Sequence, residues 1–131
     1  MAGDCRTAAV LLIDAANVVG SRPTGWWRDR AGAARTFVAD VRAAGLPGPV
    51  VVVLEGAARA GADEGVEAGV EVVHAAGEGD DTLAALAADA RNEGEAVTLV
   101  SADRGLAARV RATGADVVGP RWLLDRLPAG S

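Results

Sequence analysis

Three dominantly apolar runs, residues 8–13, Val50–Leu54 and Val97–Val100, the last interrupted by Thr98, limit the fold of this chain more than any other feature. A strand covered on both faces has no polar side to present, so it loses alternation and reads as a continuous aliphatic stretch. Between the runs the spacing becomes helical. Ala33, Ala34, Phe37, Val38 and Val41 recur on one face after Asp29, a candidate cap, until Gly45 and Pro47 stop the helix. Leu83, Leu86, Ala87 and Ala90 do the same across residues 81–93, with Gly94 as terminator. Val70, Val72 and Val73 predict a shorter third strand, residues 103–112 a short helix, and Asp116–Val118 a fifth strand. Pro120 starts a last helix whose Trp122, Leu123 and Leu127 cover the sheet edge, with Trp122 structural. Residues 18–29 read as a long first loop, and residues 57–69 support at most a short helix. Strands alternating with helices in this way make an α/β sandwich, and residues 1–131 form a single domain.

The formal charge of −5, with half of the residues apolar, excludes a broadly basic nucleic-acid binder. It leaves room for a nuclease whose metal ions invert the field of an acidic pocket. Cys5 is the only cysteine, which rules out an intramolecular disulfide and a cysteine metal cluster and makes this thiol incidental. No apolar run reaches the roughly 18 residues of a membrane span, and the amino terminus lacks a signal core, so the expected setting is cytoplasmic.

The strands end on carboxylates. Asp14 follows the first, Glu55 the second, and Asp103 the fourth by way of Ser101, while Asp80 and Asp81 precede the central helix. In an open parallel sheet functional groups gather beyond the carboxyl ends of the strands, which joins residues distant in sequence into one site. Clustered carboxylates repel one another unless a cation compensates them, and hard oxygen donors suit Mg²⁺ or Mn²⁺. With one histidine, His74, and one cysteine, zinc is a poor fit. Taken singly, Asp80 and Asp103 serve equally well as helix caps, and His74 as a structural residue.

Asn17 orients Asp14 or meets a phosphate, and Ser101 holds Asp103 or a phosphate; without a nearby histidine base it is no nucleophile. In the first loop, Arg22 and Arg28 suit phosphates, and Trp26 or Trp27 suits an exposed base. Arg104, directly after Asp103, is a further phosphate contact. Exposed apolar residues on the last helix are compatible with a homodimer. The chain has neither GxGxxG nor GxxxxGK[ST], and Asp14-Ala15-Ala16 lacks the paired aspartates of a haloacid-dehalogenase-like phosphatase.

Taken together, Ile13-Asp14-Ala15-Ala16-Asn17, Gly79-Asp80-Asp81-Thr82-Leu83 and Val100-Ser101-Ala102-Asp103-Arg104-Gly105-Leu106 resemble the motifs of the PIN-like nuclease superfamily, its NYN branch in particular. The resemblance implies a three-layer α/β/α sandwich around a mostly parallel five-stranded sheet of order 3-2-1-4-5. It also implies a metal-dependent endoribonuclease acting on RNA with Mg²⁺ or Mn²⁺. On that template Asp14, Asp80 or Asp81, and Asp103 are the catalytic and metal-binding acids, and Glu55 is an additional acidic residue. The acidic charge, and Ala15 where relatives often have glycine, keep a second reading open: an inactive PIN-like domain that binds RNA or protein.

Overall fold

A computed structural model describes residues 9–128; Cys5 lies outside them. The chain runs β1 (Val10–Asp14), α1 (Ala15–Gly20), α2 (Arg30–Ala44), β2 (Val50–Leu54), β3 (Gly65–Glu67), β4 (Val70–His74), α3 (Gly79–Asn92), β5 (Val97–Val100), α4 (Arg104–Arg111), β6 (Asp116–Val118) and α5 (Pro120–Leu124). Six strands form one sheet in the order β3-β4-β2-β1-β5-β6. Every neighbouring pair is parallel except β3–β4, so β1 lies inside the sheet between β2 and β5.

The expected five-stranded sheet is thus corrected to six, and the expected order is met in part: it holds for the parallel strands, and β3 adds an antiparallel edge. All three residues of β3 are exposed, with Val66 at 71%. An exposed edge strand held by backbone pairing and, at Glu67, by an ion pair with Arg42 at 3.8 Å needs no apolar pattern, so none marks it. Glu67 pairs with Val70 across a two-residue turn in which Ala68 (φ 53°) and Gly69 (φ 77°) are both left-handed. Hairpins of that kind usually announce themselves as Asn-Gly, and Ala-Gly hides this one.

The first connection also differs from its expectation. It begins at once with α1, because Asp14 accepts a hydrogen bond from the Asn17 N–H and caps two alanines that favour helix. Six residues are too few to show a helical period. The paired tryptophans follow in a single 3-10 turn, Trp26–Arg28, and Asp29 caps α2 by accepting from the Gly32 N–H.

Alternation along the inner strands divides the core in two. Leu11, Ile13, Val52, Leu54 and Val100 meet Val18 of α1, Phe37 and Val41 of α2, and Leu123 and Leu127 at the carboxyl end. Leu12, Val51, Val53 and Leu99 meet Leu83 and Ala87 of α3 and Leu106 and Val110 of α4. Each fully buried side chain of this size contributes about 1.5–3 kcal/mol, which makes the two helical layers the main stabilising term. The last helix therefore closes one face together with α1 and α2. Among the described residues no helix is long and apolar enough to cross a membrane.

Candidate active site

The period of two along a strand decides where the terminal polar groups emerge. Leu12, Val53 and Leu99 all face α3 and α4. Two residues further on each strand stand Asp14, Glu55 and Ser101, which leave the sheet on that same side. Register places two of them side by side: Ile13 is level with Val100, so Asp14 is level with Ser101.

Asp14 (5% exposed) and Ser101 (3%) are the buried polar side chains of the described residues, and they bond to each other. Ser101 Oγ donates to Asp14 Oδ2 at 2.9 Å and accepts from the Asp103 N–H at 3.0 Å. The Asn17 N–H donates to Asp14 Oδ1 at 3.3 Å, and Asn17 Oδ1 accepts from the Ala102 N–H at 2.7 Å. Two of these bonds, Ser101 to Asp14 and Ala102 to Asn17, tie the turn after β5 to the end of β1, and the other two brace each segment locally. Asp103 in turn caps α4, its Oδ1 accepting from the Leu106 N–H at 2.9 Å.

On the other side, Glu55 Oε1 accepts from the Gly79 N–H at 2.8 Å and so caps α3 from β2. A Cβ at Gly79 would stand 2.6 Å from that oxygen, so a larger residue here would displace the Glu55 carboxylate from this bond. This bond starts α3 at Gly79, before the expected residue 81, and gives Glu55 the capping role that Asp80 was a candidate for.

Asp80 enters from the first turn of α3. Burial raises its pKa first, and the carboxylates of Asp103, Glu55 and Glu78 raise it further against the opposing effect of Arg109. Asp14 is raised as well, chiefly by burial, with Asp80 and Glu55 adding to the effect and the bonds from Ser101 and Asn17 opposing it. Asp14, Asp80, Asp103 and Glu55 thus sense one another across one edge. Asp81 faces away: it pairs with Arg109 at 3.0 Å and its side chain is 83% exposed.

These carboxylates have the right donor chemistry for a hard divalent cation. Their spacing is more open. Among the described residues no three His, Cys, Asp or Glu side chains stand close enough to hold a metal ion as placed.

No protein-family model matches the chain, and no curated protein does. Its backbone, however, superposes on two crystal structures of Rae1 (YacP) from Bacillus subtilis, one of them a tryptophan-to-leucine variant. Both are 20% identical to it with a TM-score of 0.68; each match covers 90% of this chain, and 74% of the variant or 72% of the other structure. The fold is PIN-like. At that identity the likeness concerns architecture, so the roles of side chains rest on this chain's own geometry.

Around the acidic edge of this PIN-like fold, the first connection forms an aromatic shelf. Trp26 and Trp27 meet edge to face with ring centres 6.0 Å apart. Arg28 lies over Trp27 at 5.8 Å and Arg30 over Trp26 at 5.4 Å. Trp27 is 55% exposed, whereas Trp26 is half-buried against Gly20. Arg22 lines an adjacent hollow with Trp26 and Asp29, and Arg104 lines another with Ser101 and Arg111. His74 has a bracing place: its Nε2 is 2.7 Å from the Ala62 carbonyl, and its N–H donates to Glu64.

Sequence reasoning passed over Glu78, Arg30 and Arg109. The first adjoins Asp80 in sequence, and the second stands two residues after Arg28, so both were within reach. Arg109 meets Asp81 only because α3 and α4 lie side by side, and nothing local signals that.

Proposed function

We propose that this chain is a metal-dependent endoribonuclease of the NYN branch, hydrolysing RNA phosphodiester bonds with Mg²⁺ or Mn²⁺. One observation carries the reading: Asp14, Asp80, Asp103 and Glu55 converge on one edge of the sheet, and two of them have raised pKa values. Asp14, Asp80 and Asp103 are the residues that would hold the ion; Glu55 is partly committed to Gly79, and Asp81 joins them only by leaving Arg109. When bound, the ion supplies Lewis acidity and offsets negative charge on phosphate oxygens. Ser101 and Asn17 fix the orientation of Asp14. Asp80, with its raised pKa, suits acceptance of a proton from an attacking water at a carboxylate oxygen. Asn17, Arg22, Arg28 and Arg104 meet phosphates, while exposed Trp27 stacks on a base; the Ser101 hydroxyl, buried and committed to Asp14 and Asp103, holds the centre and does not reach a phosphate.

The open spacing of the carboxylates favours one other reading, a PIN-like domain that binds RNA or protein without cleaving it. A cleavage assay on mixed structured and single-stranded RNAs with Mg²⁺ or Mn²⁺ separates the two. Cleavage that Asp14→Asn and Asp103→Asn each abolish, with folding retained, supports the nuclease. A folded protein that neither binds Mn²⁺ by calorimetry nor cleaves any RNA of the panel sinks it.

A further inference from the structure

Behind the acidic edge, on the face of the sheet covered by α1 and α2, lies a cavity of about 130 Å³. Its walls include Ala15, Val19, Trp26, Ala33, Leu54 and Glu55. Ala15 directly follows Asp14, so the cavity begins one residue from the carboxylate centre. Most of the lining is aliphatic or aromatic, and its side-chain donors are the guanidinium of Arg30, exposed at the surface, and the indole N–H of Trp26. The walls are defined: Trp26 is held against Gly20 behind it, by the edge-to-face contact with Trp27, and by the Arg30 guanidinium.

We propose that this cavity is a base subsite that prefers the single ring of a pyrimidine nucleotide of RNA over a purine. The proposal rests on the RNA-binding part of the function above and adds a specificity to it. Size favours one class of base: an apolar cavity of about 150 Å³ takes one benzene ring, and this hollow, open to solvent on one side, is no larger, so a single ring seats within it whereas a fused bicyclic base must leave part of itself outside. The position of Arg30 decides the polar match. Uracil and cytosine both carry a carbonyl at ring position two, and the guanidinium donates to such an oxygen while Trp26 covers the ring. Glu55 has its Oε1 turned to Gly79, so it borders the cavity without supplying the donor that a carbonyl needs.

The test uses the whole chain in EDTA, where cleavage cannot interfere. Fluorescence anisotropy compares end-labelled tetranucleotides of uridine, cytidine and adenosine. The pyrimidine tetramers bind at least about tenfold tighter than the adenosine one, the size discrimination an apolar pocket delivers. Ala33→Leu fills the cavity from an alanine outside the acidic centre, and leucine suits a helix, so α2 persists. In that variant, with its circular dichroism unchanged, the preference disappears through loss of pyrimidine affinity. Arg30→Gln, which leaves the cavity open, weakens pyrimidine binding alone. Equal binding of the three tetramers by the native chain, or a preference that survives Ala33→Leu, overturns the subsite and leaves the nuclease reading intact. Failure of all three to bind removes the subsite and the RNA reading together, whereas pyrimidine-selective binding without cleavage in Mn²⁺ removes only the nuclease.

Discussion

Replacing Ser101 by alanine tests the geometry of the acidic edge most directly. The hydroxyl is 3% exposed, donates to Asp14 Oδ2 at 2.9 Å and accepts from the Asp103 N–H at 3.0 Å. Alanine removes a hydrogen bond to a charged acceptor and leaves a backbone donor unmet, two losses each of about 1–3 kcal/mol. A net cost of about 3 kcal/mol lowers Tm by roughly 10 °C in a domain of this size. The cost depends on pH in a definite direction. The Ser101 bond favours the ionised form of Asp14, whose folded pKa lies above the 3.8 of a free side chain. The deficit of Ser101→Ala is therefore full above the folded pKa and shrinks as falling pH protonates Asp14. Urea unfolding over a pH series from about 8 down to 3.8, in native and Asp14→Asn backgrounds, measures both the deficit and its coupling to Asp14. A deficit below about 0.5 kcal/mol, one independent of pH, or one unchanged by Asp14→Asn refutes the bridging role.

Without metal, Asp80→Asn raises Tm above pH 3.8, because a carboxylate with a raised folded pKa lowers stability as pH climbs through that window. Mn²⁺ at about 100 times its Kd then adds about 2.7 kcal/mol to the native chain and less to the variant; equal gains in differential scanning fluorimetry remove Asp80 from the site. Gly61→Ala puts a Cβ 2.4 Å from the Ala31 carbonyl and 2.9 Å from the Arg35 nitrogen in α2, and chemical denaturation should read a loss of about 2–3 kcal/mol. Ala68→Asn converts the β3–β4 turn to Asn-Gly at positive φ and should stabilise by about 0.5–1 kcal/mol; a loss in the same measurement contradicts the turn geometry.

The elements legible from sequence were those whose burial restricted residue type. Val50–Leu54 and Val97–Val100 are strands with the boundaries their apolar runs display, because a position covered on both faces tolerates little else. β3 carries no such restriction, and α1 is shorter than the two turns needed to show a period. The site divides along the same line. Asp14 and Asp103 were legible because each follows a recognisable strand, and strand order joins them. Which of Asp80 and Asp81 faces the edge was not, since adjacent helical residues differ by about 100° in direction and only the placement of α4 beside α3 turns Asp81 toward Arg109. The capping bond from Glu55 likewise joins residues 24 positions apart, and no local pattern encodes it.

The hydrogen bonds at the edge also determine how its repulsion can be relieved. Asp14 accepts from Asn17, Asp103 from Leu106 and Glu55 from Gly79, so each of these carboxylates is anchored by a backbone N–H and cannot swing away from its neighbours. Asp80 is different: its side chain makes no hydrogen bond among the described residues, while burial first and then the carboxylates of Asp103, Glu55 and Glu78 raise its pKa against the opposing effect of Arg109. With Asp103 and Glu55 pinned, the charge at Asp80 is relieved most directly by a proton or by a cation, and the two compete for the same oxygens. Ligation requires the ionised carboxylate, so metal binding releases protons wherever Asp80 holds one. Mn²⁺ affinity should then rise with pH through a window above 3.8 and level off once Asp80 is ionised. Titration calorimetry in two buffers of different ionisation enthalpy reads the released protons directly. Asp80→Asn should remove its share of that release, leaving the share of Asp14, along with part of the affinity, whereas an affinity flat across the window would mean that the ion, if bound, sits elsewhere.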